Sequence, residues 1–318
     1  MPHIPLLSDA WDFLTTPSYP RTAVSINELQ LALVSLRRRQ SEYDVLRLAV
    51  TPLSAGIVQP DFVRPNVSDE DGFRRAVDRL VAQAGAGKLS KLAVALPQRA
   101  IRSLVVDFDS EPDSRTELDQ MLEWKIERGV GIRSNELRLS KRRLFSEGPR
   151  VYWFVSAVHQ HVIEQYEKLF VELGWQVGLT LPDYLAEAKW LTRNRADGDQ
   201  VLVSLNDRGF VVVIVRHGEP ALVRQVECAR SEQEDEFFRM VVFYRDRVLP
   251  QGVEINLEKL LVIGTDEDRT RFRNVLAQAV EAPVNSVDPA SLGLRGQAPV
   301  PFSSFAAAAG LSTFAWNR

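Results

Sequence analysis

The chain has 318 residues, 45% apolar and 25% charged, with 39 basic and 42 acidic side chains for a net charge of −3. That length accommodates two domains or one bilobal body with an ample core, and the near-neutral balance excludes a general nucleic-acid binder. A single cysteine, Cys228, excludes an internal disulfide and fits a reducing compartment, where it is expected to serve as a small buried apolar residue.

Residues 1–20 form a proline-punctuated extension with Leu6, Leu7, Trp11, Phe13 and Leu14. It lacks the basic start and sustained apolar run of a signal peptide and the basic face of a membrane foot, and is expected to pack on the body as a short helix. Apolar alternation predicts strands at Thr22–Ile26, Leu29–Arg37 and Tyr43–Thr51. Ser68, with Asp71 three residues on, predicts a capped helix that closes at Gly85-Ala86-Gly87, and Leu92–Leu96 follows as a buried strand stopped by Pro97. Ile101–Phe108 reads as a strand, Ser114–Arg128 as a helix ended by Gly129, and Leu137–Phe145 and Val151–Val158 as a linked pair of strands. A helix from Gln160 to Gly174, a strand at Val177–Thr180 and a helix from Pro182 to Thr192 close this half, with 193–200 as a polar linker.

The second half opens on Val201–Leu205, Phe210–Arg216 and Ala221–Glu227, a meander whose second turn is His217-Gly218-Glu219-Pro220. A helix from Ser231 to Val248, a strand at Leu260–Ile263 and a helix from Glu267 to Val280 follow. Hairpins first and interleaved helices later predict an α/β architecture with mixed sheets. The stretch Phe302–Trp316 is weakly polar but too short to cross a membrane.

The two halves repeat one pattern. Ala23-Val24-Ser25-Ile26-Asn27-Glu28 leads into Leu29–Val34, and Leu202-Val203-Ser204-Leu205-Asn206-Asp207 leads into Phe210–Val215. Each is strand, Ser-apolar-Asn-acidic turn, strand, and each opens its half of the chain before a third strand and a helix, which predicts a duplicated domain.

That duplicated unit resembles the actin-like ATPase (ribonuclease H-like) fold, here as a bilobal body with an inserted small α+β subdomain. Leu96-Pro97, Val105-Val106-Asp107-Phe108 and Leu122-Glu123-Trp124-Lys125-Ile126-Glu127 resemble the bacterial type IV pilus assembly family of PilM, within its FtsA/PilM/GspL branch. Val155-Ser156-Ala157, Leu173-Gly174-Trp175, Tyr184-Leu185-Ala186, Val262-Ile263-Gly264 and the closing Phe305–Leu311 agree with it in order. The resemblance covers roughly residues 20–318 and implies a first lobe at 21–198, an insert at about 97–150 and a second lobe at 199–318.

An ATP site of this type needs glycines that let backbone meet phosphate, aspartates that hold Mg²⁺, and a glycine-rich late turn that clears room for adenosine. By the resemblance, the first motif's Asp and Gly fall on Ser25 and Asn27 and its Lys on Gln30, while the second motif's fall on Ser204 and Asn206. The late turn keeps only Gly264, and the acidic positions ahead of the 182–192 helix fall on Thr180 and Pro182. Glu28 and Asp207 place carboxylates where amides should meet phosphate; two like charges about 4 Å apart repel by roughly 1 kcal/mol even in bulk water. Arg208 offsets one of them, and Asn is expected to close both turns through its tolerance of left-handed backbone. Considered alone, Ser25 and Ser204 are plain hairpin-turn residues and Trp124 a core anchor.

The resemblance implies a non-catalytic scaffold, cytoplasmic and peripheral to the inner membrane. It would bind the N-terminal tail of a PilN-type bitopic membrane protein, in a groove between the first lobe and residues 97–150, alongside other pilus assembly proteins. No cofactor is expected. The alternatives are an FtsA-like, filament-forming protein that binds ATP and Mg²⁺, and the cytoplasmic domain of a GspL-type secretion protein; a homo-oligomer stays open. Arg133, Arg138, Lys141, Arg142 and Arg143 form a basic cluster on the insert, read as a solvated face. Gly85–Ser90 fails as a P-loop, with Ala82 and Leu89 at the required Gly and Ser/Thr positions. His159 and His161 are poorly placed as a metal pair, and no nucleophile triad has a spacing signal.

Overall fold

The computed structural model describes residues 18–192, 198–248, 256–296 and 300–316. The helix expected within 1–20 and the linker at 193–197 lie outside the described residues, apart from 18–20. Two central sheets share one plan. In the first, β1 (Thr22–Ile26), β2 (Gln30–Arg39) and β3 (Glu42–Pro52) form an antiparallel meander, and β4 (Lys91–Leu96) joins β1 in parallel. Two further strands, β8 (Gln176–Pro182) and β14 (Leu294–Arg295), extend it to the order β14-β3-β2-β1-β4-β8. In the second, β9 (Asp199–Asn206), β10 (Gly209–Arg216) and β11 (Glu219–Glu227) repeat the meander. There β12 (Leu257–Ile263) joins β9 in parallel, and β13 (Asn285–Ser286) extends the edge, giving β11-β10-β9-β12-β13. The repeated Ser-apolar-Asn-acidic sequence is therefore the same hairpin of the same sheet, built twice.

Both sheets are covered on both faces, which is why their central strands read as continuous apolar runs. In β2, Leu31 and Leu33 face the first lobe's outer core while Ala32, Val34 and Leu36 face inward. In β10, Phe210, Val212 and Ile214 face the second lobe's outer core while Val211, Val213 and Val215 face inward. The outer cores are closed by α1 (Glu70–Gln83) and α3 (Gln160–Glu172) on one lobe and α5 (Gln233–Phe243) and α6 (Asp266–Val280) on the other. The inner faces meet over two short helices, α4 (Asp183–Ala188) and α7 (Ala306–Ser312). These two approach so closely that a Cβ on Gly310 would lie 2.0 Å from the Ala186 carbonyl oxygen, and Trp190 donates its Nε1–H to the Ala306 carbonyl at 3.0 Å.

A third, three-stranded sheet is set into the first lobe: β5 (Arg102–Phe108), β7 (Arg150–His159) and β6 (Leu137–Glu147), in that order, under α2 (Arg115–Val130). It extends past residue 150, to His159. Its core of Val106, Phe108, Leu122, Ile126 and Val155 takes only Leu122 and Ile126 as fully buried residues of α2. Trp124, expected as a core anchor, points outward at 58% exposure, with the Arg128 guanidinium over its ring.

Several boundaries move for local reasons. Asp69, not Ser68, caps α1 by accepting from the Gly72 N–H at 2.8 Å; Val67 bridges Val58 and the Ser68 N–H is bound to the Ile57 carbonyl, so the chain is still extended there. The left-handed residue that ends α2 is Gly131 (φ 78°), and Gly129 stays helical, at a point where a Cβ would lie 3.0 Å from Leu104. The helix expected over Ser231–Val248 is α-helical only to Phe243 and widens into a π turn at Tyr244–Val248. The helix expected over Pro182–Thr192 ends at Ala188. Cys228 is half-buried at the margin of the second lobe's core.

Candidate functional site

The two repeated hairpin turns face each other across the lobe junction. In the first, the Asn27 side-chain oxygen accepts from the Leu29 and Gln30 N–H groups, both at 2.9 Å. In the second, the Asn206 oxygen accepts from the Arg208 N–H at 2.8 Å. Neither asparagine adopts left-handed backbone, contrary to expectation; among the described non-glycine residues only Gln40, His217 and Glu281 do. The side-chain amide oxygen ties each turn, joined in the first by the Asn27 N–H bond to the Gln30 carbonyl at 3.2 Å, and the positive φ of the second hairpin (149°) is taken by Gly209.

The turn side chains are engaged with protein. Gln98, in the short 3₁₀ turn after β4, reaches into the second hairpin: its Nε2 donates to Ser204 Oγ at 2.8 Å and its Oε1 accepts from Asn206 Nδ2 at 2.7 Å. Gln225 on β11 donates to the Gln98 and Ile101 carbonyls at 2.7 and 2.8 Å and accepts from Arg102. Ser204 is 1% exposed and Gln98 6%, so these bonds are dry. Ser204 is thus an inter-lobe ligand of Gln98 and not a bare turn residue. Ser25 stays in the sheet, registered between Ala32 and Ala95. Gln30 donates to the Ser304 carbonyl at 2.9 Å, tying the first hairpin to the turn ahead of α7.

Around this bridge lie four acidic groups. Burial, followed by a hydrogen bond to Asp207 and repulsion from it, pushes the Glu28 carboxyl up to about 7, with Arg99 opposing. Asp183 and Glu187 are fully enclosed on α4. Burial, then the charge of Glu187, holds Asp183 well above the ordinary carboxylate range; burial raises Glu187 too, with Ser204 as its hydrogen-bond partner. Glu187 Oε2 has no hydrogen-bond partner among the described residues. Thr180 and Pro182, on which the resemblance places the family's acidic positions, carry no acid. Pro182 caps α4, Thr180 lies in β8, and the carboxyls are Asp183 and Glu187. Pro182 and Tyr184 flank Asp183 and alanines flank Glu187, and it is the packing of α4 against β9 that marks them as junction residues.

Gly264 leaves β12 into the start of α6, and a Cβ there would lie 2.5 Å from Leu205. Thr265 caps that helix together with Asp268, whose carboxylate accepts from the Thr265 N–H and hydroxyl at 3.0 and 2.8 Å. Burial opposes the charge on Asp268, but the Thr265 bonds with Arg230 and Arg271 hold it below the usual range. Between the hairpin turns a cleft of about 410 Å³ remains, edged by Glu28, Asp207, Arg99, Arg208 and the Asp61–Arg64 ion pair. Two carboxyls and an amide bridge therefore lie between the two hairpin turns. No cluster of three or more metal-ligating side chains occurs among the described residues. His159 and His161 stack at 5.1 Å, and His159 accepts from the His161 N–H as the cap of α3.

A second and larger opening, about 1030 Å³, runs between the inserted sheet and the lobe junction. One wall is β6 and β7, and the floor is β8 and α4. The far wall is the second lobe's His217-Gly218-Glu219-Pro220 turn with Phe314. The inserted sheet supplies one wall, in part from β7 beyond residue 150, and the second lobe supplies another. The basic cluster along β6 is neutralised within the protein: Arg138 pairs with Glu167, Lys141 with Asp119, Arg142 with Glu219 and Arg143 with Glu111. Among the described residues no helix is long and apolar enough to cross a membrane.

No protein-family model matches the sequence, and no curated protein matches it. Solved structures do. PilM in a structure of the PilM–PilN type IV pilus biogenesis complex aligns with 95% of this chain and 100% of its own, at TM-score 0.74 and 16% identity. A protein of unknown function from Bacteroides thetaiotaomicron, described as having an actin-like ATPase fold, aligns with 93% of this chain and 97% of its own, at TM-score 0.51 and 10% identity. The cytoplasmic domain of EpsL, an inner-membrane component of the Vibrio cholerae type II secretion system, reaches only TM-score 0.49 at 12% identity over 93% of each chain. With two meander-first sheets facing each other over α4 and α7, and this similarity along almost the whole chain, the protein has the actin-like ATPase fold and is similar in structure to PilM.

Proposed function

We propose that the chain is a non-catalytic actin-like scaffold which docks a short extended tail of a PilN-type bitopic membrane protein, at the cytoplasmic face of the inner membrane, within a type IV pilus assembly complex. A fold hosts many functions, so the reading must stand on the site. The observation that carries it is Gln98: by binding Ser204 and Asn206 it fills the second phosphate turn with protein, while Glu28 faces Asp207 across the first. Ser25, Asn27, Glu28, Gln30, Ser204, Asn206, Asp207 and Gly264 are then remnants of a nucleotide site, retained for structural bonds. The likeness to PilM, determined together with PilN, supports the docking role, and the larger groove offers an extended segment an apolar floor beside the edge strand β6.

Thermal unfolding with and without millimolar Mg-ATP tests the first half of this reading. A ligand of the native state must raise its stability, so a rise of several degrees would restore the ATP-binding alternative. Titration with the N-terminal tail of the bitopic membrane protein encoded beside this gene tests the second half; affinity weaker than about 100 μM refutes the docking role.

A further inference from the structure

The first lobe is strongly basic at one end. Arg37, Arg38 and Arg39 close β2, Arg47 lies across the sheet on β3, Arg21 precedes β1 and Lys91 opens β4; all of these side chains are exposed. The register sets them at a common end: Thr22 pairs with Ser35 and Ser35 with Arg47, while Ala23 pairs with Ala93, which puts Arg21 level with Lys91. This end lies away from the hairpin turn at Asn27–Leu29, and so away from the degenerate phosphate site. The strand segments there, 21–22, 35–47 and 91–92, contain two acids, Glu42 and Asp44. Each is taken by an arginine, Glu42 by Arg295 and Asp44 by Arg37 at 3.0 Å. The chain as a whole carries 39 basic and 42 acidic groups, so the cations gathered here stand against an opposite excess elsewhere. A charge distribution of that kind turns the molecule toward a broad anionic surface.

The basic end adjoins the larger groove through the closing turn Thr313–Trp316. Phe314 lines the groove. Two residues on, Trp316 lies under the Arg21 guanidinium, 4.4 Å from the ring centroid, and its carbonyl accepts from Arg38 at 3.0 Å. A tail that reaches this groove from a membrane-anchored partner starts at the bilayer, so the surface beside the groove is held close to the headgroups. Leu46, exposed next to Arg47, adds an apolar contact. We propose that this end of the first lobe is a membrane-facing surface that binds anionic phospholipid headgroups directly and so turns the groove toward the bilayer. This rests on the reading that sets the chain at the inner membrane, and adds a contact that needs no protein partner.

The test is co-sedimentation of the full chain with lipid vesicles, with no partner tail present. Binding is expected to vesicles that contain phosphatidylglycerol and not to phosphatidylcholine alone. It should fall steeply as salt is raised, since such attraction reaches only about 8 Å at physiological ionic strength. Each cation close to an anionic leaflet is worth about fivefold in partitioning, so the triple variant Arg39→Gln, Arg47→Gln, Lys91→Gln should lose about a hundredfold. Removing the same charge from the second lobe, by Arg239→Gln, Arg245→Gln and Arg273→Gln, should leave partitioning within about twofold of wild type. These positions are all exposed, so both variants are expected to melt with the wild type. Partitioning onto phosphatidylglycerol vesicles no stronger than onto phosphatidylcholine, or an equal loss in both triple variants, overturns the proposal. Tighter binding to duplex DNA than to the anionic vesicles at equal phosphate, lost in the first triple variant, overturns it too and assigns this end to nucleic acid. The tail titration is scored apart: a chain that binds vesicles and no tail keeps this surface and loses the docking role, and one that binds the tail and no vesicles does the reverse.

Discussion

Gln98→Ala removes the side chain that joins the lobes at the second hairpin. Two partners lose their bonds: Ser204 Oγ, which accepts at 2.8 Å, and Asn206 Nδ2, which donates at 2.7 Å. The Gln225 bond to the Gln98 carbonyl is main-chain and survives. A buried polar group stripped of its partner costs about 1–3 kcal/mol. Ser204 is enclosed but keeps its bond to Glu187, and Asn206 is half-exposed, so each takes the bottom of that range. The sum is about 2 kcal/mol, a sizeable part of the stability of an ordinary protein. Urea unfolding followed by tryptophan fluorescence measures it, and a cycle with Ser204→Ala isolates the pair. The double variant is expected to fall short of the sum of the singles by about 1 kcal/mol or more, because one bond is lost in both. A loss below about 0.5 kcal/mol for Gln98→Ala, or strict additivity, would refute the idea that this amide bridge holds the junction.

Three further outcomes follow from the same structure. Glu28 goes from an ordinary 4.5 to about 7, through burial and then Asp207, so the native state holds its proton more tightly than the unfolded chain. That contribution is complete below about pH 4.5 and is lost as pH rises through 7, so Glu28→Gln should raise stability at pH 8 by about 1–3 kcal/mol and leave it nearly unchanged below about pH 4; equal effects at both pH values in denaturant titrations would sink the assignment. Gly310→Ala forces a methyl to 2.0 Å from the Ala186 oxygen and should destabilise by about 1–3 kcal/mol through separation of α7 from α4; a melting temperature equal to wild type contradicts that packing. Trp124→Ala, at a 58% exposed position, should change stability by no more than about 0.5 kcal/mol, where a core tryptophan would cost about 3–5 kcal/mol.

The duplicated sheet plan was legible in the sequence because it is written locally. Strands such as Val201–Leu205 and Phe210–Arg216 are apolar runs of the right length, and the Asn turns between strands obey short-range hydrogen bonding. The two-residue strands β13 and β14 were not legible, since pairs such as Asn285-Ser286 bear no pattern and pair only because β12 already lies alongside. Trp124 was misread for a related reason. It sits on the same helix as Leu122 and Ile126, but which turn of that helix meets the inserted sheet is decided by the sheet's position. Of the candidate site, Ser25, Asn27, Ser204 and Asn206 could be found by their repeat, and so could the acids Glu28 and Asp207. What those residues touch could not.

Gln98 lies 106 positions before Ser204 in the chain, and Arg142 and Glu219 pair with each other from two different sheets. The sequence alone determined two hairpin-first α/β repeats and the chemical character of their turns, because strand length, alternation and turn bonding depend on neighbours a few residues apart. Tertiary structure alone decided that the second turn is filled by an amide from the other lobe and that Asp183 and Glu187 are buried acids. Desolvation and long-range pairing depend on which distant groups exclude water from one another, and no local pattern encodes that.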